Sequence, residues 1–404
     1  MDLSFTAEEE DFRTELRSYL ESTIPDEWRR PDFWESLDRH EAFDLRRQWE
    51  ADKAKAGFTG IAWPKEWGGR GGTQGMKAIY DEEMTRARAP RGANQLGQTY
   101  LAPTVAVLGS EQQKRDIIGA ILRNEEIWCQ GFSEPGAGSD LAAIRTSGVL
   151  DGDEYVVNGQ KIWTTQAVHG DKLFALIRTE PGSQRHQGLS LMLMDMDQPG
   201  VEARPITTMS GDQEFGEVFF TDARVPVESN LGGIGNGWQT AMLLLSFERG
   251  ASAFGMYTAM RQQLAGIVAA ARATHRDGRT AAEDPVLRQN LAAVVTELEC
   301  LRYHSFHVLS EVEKGRDLGF EASMTKLQWS ETMQDLFEAF DEILGPNVTI
   351  RHPFGDVAPI DGADVSDLAA LQNQALYSRS VTIWGGSGQV QRNVVAERVL
   401  GLPR

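Results

Sequence analysis

The sequence contains few of the residues that build disulfide frameworks and metal sites. Two cysteines, Cys129 and Cys300, occur in 404 residues, which is too few for a disulfide scaffold and fits a reducing cytoplasm. The seven histidines are scattered, and they lack the spacing to one another and to cysteine that binds metal ions. We therefore expect a cytoplasmic protein without a metal site.

Long apolar runs and an excess of positive charge are also missing. No segment approaches the about 20 apolar residues that a membrane-spanning helix needs, and the acidic start MDLSFTAEEEDF resembles neither a signal peptide nor a transit peptide. Lys and Arg total 40 against 59 Asp and Glu, so the formal net charge is −19. This charge argues against nucleic acid and membranes as partners, whereas local arginines can still bind an anionic ligand.

The apolar patterning divides the chain into three parts. Residues 1–125 have helical spacing, with Thr6 and Ser110 as helix caps. Residues 126–233 contain short β-branched and aromatic segments between turn-forming residues, and helical spacing returns over 234–404. This order predicts an N-terminal helical domain, a central antiparallel β-domain and a C-terminal helical bundle. The predicted strands are 155–163, 173–179, 189–196, 201–206 and 216–225, and the longest predicted helices are 238–270 and 287–309.

Residues 133–165 are the most informative segment. The small residues of the loop at 134–140, EPGAGSD, allow main-chain N–H groups to approach an anion closely. Asn158-Gly159 predicts a hairpin turn, and the segment ends in Trp163-Thr164-Thr165. The loop has neither the Lys of a P-loop nor the G-x-G-x-x-G pattern. A loop for phosphate followed by an aromatic, hydroxyl-bearing strand indicates a cofactor with a pyrophosphate and a flat ring, such as flavin.

This segment is similar, nearly residue for residue, to the signature of the acyl-CoA dehydrogenase family. The helical, strand and helical order extends the resemblance over the whole chain. The resemblance implies FAD as cofactor, dehydrogenation of an acyl-CoA thioester between its α and β carbons, and electron transfer to an electron-transfer flavoprotein. It also implies that the C-terminal domain is a four-helix bundle through which the chain self-associates as a dimer or a homotetramer.

The resemblance assigns the flavin contacts. Thr165 matches a threonine near N5, the flavin atom that accepts hydride, and an uncharged hydroxyl suits that place because it does not compete as a base. Ser139 also matches a position near the substrate thioester, together with Arg249 and Gly385. The predicted cofactor-binding residues are Gln130, Phe132, Ser133, Gly138, Ser139, Trp163, Thr165, Arg276, Ser387 and Gln389.

The catalytic base is predicted at an alternative position. Many members of the family place a glutamate in a Tyr-Glu-Gly-Thr motif near the C-terminus, where this chain has Gly385. Another branch supplies the carboxylate from the first C-terminal helix, and here Glu248 matches that position. A carboxylate in apolar surroundings has a raised pKa and serves well as a general base. We therefore expect Glu248 to remove the α-proton, while the main-chain N–H near Gly385 polarises the thioester carbonyl.

The part of the pattern that holds the adenosine half of FAD in the family is altered. Arg276 matches an arginine that reaches the pyrophosphate of a neighbouring subunit, but Arg279 stands where the family has an aromatic residue. In residues 342–348, Glu342 replaces an amide and Pro346 removes a main-chain donor. These differences leave two interpretations open: an altered grip on the dinucleotide, or a subunit that needs a non-identical partner.

The sequence also leaves the chemistry and the substrate open. A flavin oxidase or a flavin monooxygenase on the same fold is an alternative to the dehydrogenase. One subunit of a hetero-oligomeric enzyme for a bulky acyl-CoA, for example one with a steroid side chain, is another. The length and branching of the acyl group depend on pocket depth, which the sequence does not determine.

Overall fold

The computed structural model describes residues 5–250, 253–276, 278–314, 321–350 and 365–403, without the side chains of residues 31, 32, 35, 248–250, 253, 313 and 365–367. Within these ranges the chain forms two compact units. We call residues 43–71 and 91–248 the sheet unit, and residues 1–42, 72–90 and 249–404 the helical unit. The domain boundaries at 125/126 and 233/234 stay predictions.

Helices occupy both ends of the sequence, as the patterning predicts. The first begins at the predicted cap, because Thr6 Oγ1 accepts a hydrogen bond from Glu9 N and the Glu9 carboxylate accepts one from Thr6 N. Ser110 caps a short helix in the same way with Gln113. The helices are α1 Ala7–Thr23, α2 Pro31–Ser36, α3 Arg39–Lys55, α4 Gln74–Arg86, α5 Ala102–Leu108, α6 Glu111–Gln113, α7 Gly119–Leu122, α8 Gly237–Gly250, α9 Ala253–Ala273, α10 Pro285–Glu313, α11 Glu321–Leu344, α12 Val365–Ser378 and α13 Gly388–Val394.

The sheet unit is built on one sheet of eight strands in the order β6-β7-β3-β2-β4-β5-β8, with β1 added beside β4. The pairings of β4 with β1 and with β2 are parallel, and the others in this sheet are antiparallel. All five predicted strands are present within two residues of their predicted limits. The strands are β1 Trp128–Gly131, β2 Ser147–Asp151, β3 Glu154–Thr165, β4 Lys172–Arg178, β5 Leu189–Asp195, β6 Val201–Ile206, β7 Phe215–Pro226 and β8 Asn230–Leu231; a separate pair, β9 His275–Arg276 and β10 Arg279–Thr280, lies in the helical unit.

Strands β4 and β5 are apolar at consecutive positions because both faces of the sheet are covered. Successive side chains of a strand point to opposite faces, so each strand contributes to two cores. Phe174, Leu176 and Leu191 pack in the core that includes side chains of α5, α7 and α8. Leu173 and Met192 pack in the core on the other face.

The turn predicted at Asn158-Gly159 is wrong. The β2–β3 hairpin turns at residues 152–153, and Asn158 and Gly159 lie inside the long strand β3. Asn158 Nδ2 donates to Asp222 Oδ1 over 2.9 Å, and the pairing with β7 is irregular there. A Cβ on Gly159 would lie 2.5 Å from Thr146 Oγ1. The glycine therefore permits the close approach of Thr146, the residue before β2, and does not form a turn.

The helical unit is held together by an apolar core from its long helices. Leu264 of α9, Leu298 of α10 and Phe337 of α11 are buried in this core, as is Leu371 of α12. The predicted helix 238–270 corresponds to α8 and α9, and residues 251–252 lie outside the described residues. In the ranges that the structure covers, no helix combines the length and apolarity needed to cross a bilayer.

Candidate active site

The predicted flavin loop and the predicted flavin strand lie side by side in the sheet unit. The loop follows β1, and Ile162 N of β3 donates to the main-chain oxygen of Ser133 over 2.9 Å. Gln130 lies within β1, Phe132 is buried and Ser133 is half-buried. Thr165 lies three residues beyond Ile162, which is a rise of about 10 Å along a strand. Seven of the ten predicted cofactor-binding residues, those from Gln130 to Thr165, thus belong to β1, to the segment that follows it or to β3.

The loop presents donors that no group among the described residues accepts from. Glu134 and Ala137 close it with two main-chain hydrogen bonds of 3.0 Å. Beyond this turn, Gly138 and Ser139 are exposed, and among the hydrogen bonds of the described residues their N–H groups donate to none. A Cβ on Gly138 would meet nothing within 4 Å. Exposed N–H groups on a loop of small residues fit an anionic group such as a pyrophosphate.

Strand β3 ends with an exposed aromatic plane. The pairing of β3 with β7 shifts by one residue between Lys161 and Thr164, so Trp163 lies in a bulge. Trp163 has a φ of 60° and an exposed fraction of 55%. Its ring meets that of Phe215 edge to face, with centroids 6.0 Å apart. A large aromatic residue in the left-handed region is strained, and such strain is typical of binding sites. The exposed indole fits a flat ring.

A buried ion pair beneath the loop was not found from the sequence. Lys161 is fully buried and lies 2.8 Å from Glu134 Oε1. Burial lowers the pKa of Lys161 to about 8, although Glu134 opposes the shift. Burial alone would raise the pKa of Glu134, but Lys161 and N–H donors outweigh it, so this pKa is lowered. The alternation of β3 contained the signal, because Tyr155, Val157 and Lys161 share one parity and all are buried.

The predicted base lies at the end of α8. This helix is continuous to Gly250, and Leu244, one turn before Glu248, is buried in the core on the sheet. The side chains of Glu248 and Arg249 lie outside the described residues. Their roles as base and as substrate contact stay predictions.

The other predicted contacts lie in the helical unit. Ser387 caps α13 by accepting a hydrogen bond from Val390 N over 3.3 Å, and Gln389 is exposed. Gly385 has a φ of 64°, and its carbonyl oxygen accepts from Gln391 Nε2 over 2.9 Å. In the described part of the chain the Gly385 N–H has no acceptor. It is therefore available to a ligand carbonyl.

Arg276 is engaged within its own chain. Its guanidinium donates to the main-chain oxygens of Glu342 and Ile343, at the C-terminal end of α11. Positive charge is favoured at this end of a helix. Glu342 Oε2 accepts from Asn290 Nδ2 over 2.9 Å, and Pro346 lies in a 3-10 turn after α11. The segment predicted to differ from the family pattern is thus tied to α10 and to β9.

Comparison with known proteins covers nearly the whole chain. The acyl-CoA dehydrogenase N-terminal, middle and C-terminal domains match residues 6–125, 129–223 and 235–400. "Acyl-CoA dehydrogenase IpdE1" of Mycobacterium tuberculosis is 40% identical over 98% of both chains. "Acyl-CoA dehydrogenase FadE26" of the same organism is 30% identical over 100% of this chain and 99% of the relative.

Solved structures agree with these relatives. A structure titled "Tcur3481-Tcur3483 steroid ACAD" superposes with a TM-score of 0.84 at 30% identity, over 100% of both chains. The ChsE4-ChsE5 complex from Mycobacterium tuberculosis gives a TM-score of 0.79 at 30% identity, again over 100% of both chains. The order of an N-terminal helical, a middle β-sheet and a C-terminal helical domain is shared with these structures. The chain belongs to the acyl-CoA dehydrogenase family.

Proposed function

We propose that this protein removes hydrogen from the α and β carbons of an acyl-CoA thioester, with Glu248 as the base. As a family member it is an FAD-dependent oxidoreductase. The observation that carries the proposal is the pairing of two features in one unit. The N–H groups of Gly138 and Ser139, which have no acceptor among the residues that the structure describes, lie on a loop joined to β3. This strand ends in exposed Trp163 and in Thr165.

Each proposed role follows from the chemistry of the residue. FAD, when bound, supplies a hydride acceptor at N5. The N–H groups of Gly138 and Ser139 would hold the pyrophosphate, and the Trp163 indole would contact the ring. The Thr165 hydroxyl would donate a hydrogen bond beside N5 without acting as a base. The Glu248 carboxylate would take the α-proton, and the Gly385 N–H would polarise the thioester carbonyl.

We further propose that the chain is one subunit of a hetero-oligomer acting on a bulky acyl-CoA. One similar solved structure is titled "Tcur3481-Tcur3483 steroid ACAD", and a second is that of the ChsE4-ChsE5 complex. Within this chain, Glu342 and Pro346 depart from the family pattern, and Arg276 binds the end of α11. A surface so engaged is less suited to a neighbour's pyrophosphate. A homotetramer is the competing assembly, and an electron-transfer flavoprotein is the proposed electron acceptor.

Anaerobic titration with a panel of acyl-CoAs tests the chemistry. The flavin absorbance should bleach with a substrate, and Glu248→Gln should slow bleaching by about 10²- to 10⁴-fold. Glu228→Gln, an exposed carboxylate of the same unit, should bleach at the wild-type rate. Bleaching of Glu248→Gln at the wild-type rate would remove Glu248 as base. If a flavin-loaded protein bleaches with none of the panel, the dehydrogenase proposal fails.

Two further measurements separate the alternatives. Rapid reoxidation by air with release of peroxide would replace the dehydrogenase by an oxidase. The second measurement is the mass of the protein purified after co-expression with a paralogue. This mass should correspond to a complex of the chain with a second, different subunit. A homotetramer of full flavin content, made without a partner, would contradict the hetero-oligomer.

A further inference from the structure

We propose that the buried Lys161–Glu134 ion pair is a positioning element of the flavin site. It fixes the loop carrying Gly138 and Ser139 against the end of β3 that carries Trp163. This inference rests on the proposed function, because it takes that loop and that strand as the cofactor site. Neither residue is proposed to touch FAD.

The ammonium group of Lys161 binds three acceptors in two different segments. Its Nζ donates to Glu134 Oε1 over 2.8 Å, to the Phe132 main-chain oxygen over 3.1 Å and to the Leu176 main-chain oxygen over 2.7 Å. An ammonium has three donors, so all of them are used. One side chain of β3 therefore joins the start of the flavin loop to β4.

The carboxylate of Glu134 extends the connection to the far end of the loop. Glu134 Oε2 accepts from Arg145 N over 2.6 Å, and Oε1 accepts from Thr146 N over 2.9 Å. Residues 145–146 lead directly into β2. Because Glu134 begins the loop and Arg145 follows it, this carboxylate holds both ends together.

General stability does not by itself account for such a pair. Desolvation of two charges cancels much of their attraction, and apolar side chains of similar size often replace a buried pair without loss. What apolar side chains cannot replace are directed hydrogen bonds to three main-chain segments. Such bonds fix distances, and a cofactor that spans loop and strand depends on those distances.

The sheet unit offers a matched control in a second buried pair. Lys53 and Glu50 have exposed side-chain fractions of 4% and 3%, and they lie three residues apart within α3. This pair also buries a lysine with a glutamate, but both residues belong to one helix. Its loss tests the general cost of breaking a buried ion pair in this unit.

The experiment measures FAD binding and the flavin spectrum in Lys161→Met, Glu134→Gln and Lys53→Met, each purified as the holoenzyme. Lys161→Met should weaken FAD binding about tenfold or more and shift the visible flavin bands. Glu134→Gln keeps the shape and one oxygen that can accept from Lys161 and Thr146, but it loses the acceptor of Arg145 N, so a smaller weakening in the same direction is expected. Lys53→Met should keep the FAD Kd within about twofold and leave the bands unchanged, whatever its Tm.

The outcomes separate this inference from the proposed function. Unchanged FAD Kd and flavin bands in folded Lys161→Met overturn the inference, as does a weakening that Lys53→Met reproduces at equal loss of Tm. If Lys161→Met does not fold, Glu134→Gln decides in the same way. If FAD binding depends on Lys161 but no acyl-CoA bleaches the flavin, the positioning role is supported and only the dehydrogenase proposal is contradicted.

Discussion

Two buried carboxylates, Glu134 in the sheet unit and Glu83 in the helical unit, bind cations in different ways. Glu134 meets one fully buried lysine. Glu83 meets three arginines, of which Arg17 and Arg86 remain more than 40% exposed. In both places a carboxylate joins separate segments. The two sites differ in how far the cation is exposed to water. This exposure decides how much stability is lost when the carboxylate is removed.

The Glu83 cluster connects two helices and lies apart from the predicted cofactor residues in sequence. Glu83 and Arg86 belong to α4, whereas Arg13 and Arg17 belong to α1. Arg17 Nη2 lies 2.6 Å from Glu83 Oε1, and Arg86 Nε lies 2.6 Å from Oε2. Arginine suits this arrangement because its fork of donors can bind two oxygens at once. We expect the cluster to stabilise helix packing without affecting flavin.

Removal of Glu134 should have the largest effect on stability. Glu134→Ala leaves the Lys161 ammonium buried without its charge partner, which costs about 4 kcal/mol. Glu83→Ala should cost less, about 2 kcal/mol, because Arg17 and Arg86 regain water. Denaturant unfolding of both variants at pH 7 measures the difference.

The double variant Glu134→Ala/Lys161→Met controls for the lost charge pair. It should recover part of the stability, because no unpaired charge remains. A larger loss for Glu83→Ala than for Glu134→Ala would mean that exposure of the cation does not set the cost.

Acid should weaken the Glu83 cluster. Burial alone would raise the pKa of Glu83, but hydrogen bonds from Arg17, Arg86 and Arg13 lower it from 4.5 to about 2. A lowered pKa in the folded state means that the stabilisation is present above pH 4.5 and is lost as the pH falls through about 2. By pH 3 about 2 kcal/mol should be lost.

The measurement compares unfolding of the wild type and Glu83→Gln from pH 7 to pH 3. The wild type should lose about 2 kcal/mol of its advantage over this range, whereas the variant should have a flatter profile. Parallel profiles would show that Glu83 titrates alike in the folded and unfolded states.

The sequence was sufficient for the fold because the fold depends on repeating patterns. The β-branched runs predicted five of the eight strands of the main sheet, and Thr6 and Ser110 predicted two helix caps. The prediction failed at Asn158-Gly159, where a local turn signal competed with a tertiary constraint. Gly159 is required by its closeness to Thr146, and no local pattern contains that distance.

The candidate site was only partly accessible to sequence reasoning. Resemblance predicted residues that contact the cofactor, such as Gly138 and Trp163, but it did not predict the buried pair Lys161–Glu134 that joins their segments. Lys161 could have been noticed from its inward parity in β3, yet its partners at Phe132 and Leu176 depend on the folded sheet. Local conformation was equally hidden, since nothing in the sequence marks the positive φ of Trp163.

Trp163 gives the smallest expected effect on stability and separates binding from folding. Trp163→Gly relieves about 1 kcal/mol of strain in the left-handed region and loses an edge-to-face contact with Phe215 of similar size. The apoprotein should therefore keep its stability within about 0.5 kcal/mol, whereas FAD binding should weaken severalfold. Arg88→Gly, at a φ of 50° in the helical unit, should leave FAD binding unchanged. Titration of both variant apoproteins with FAD measures this contrast. Equal FAD affinities of Trp163→Gly and Arg88→Gly would exclude Trp163 from the cofactor site. Glu134 contributes both to folding and to cofactor geometry, whereas Trp163→Gly isolates the effect on cofactor binding.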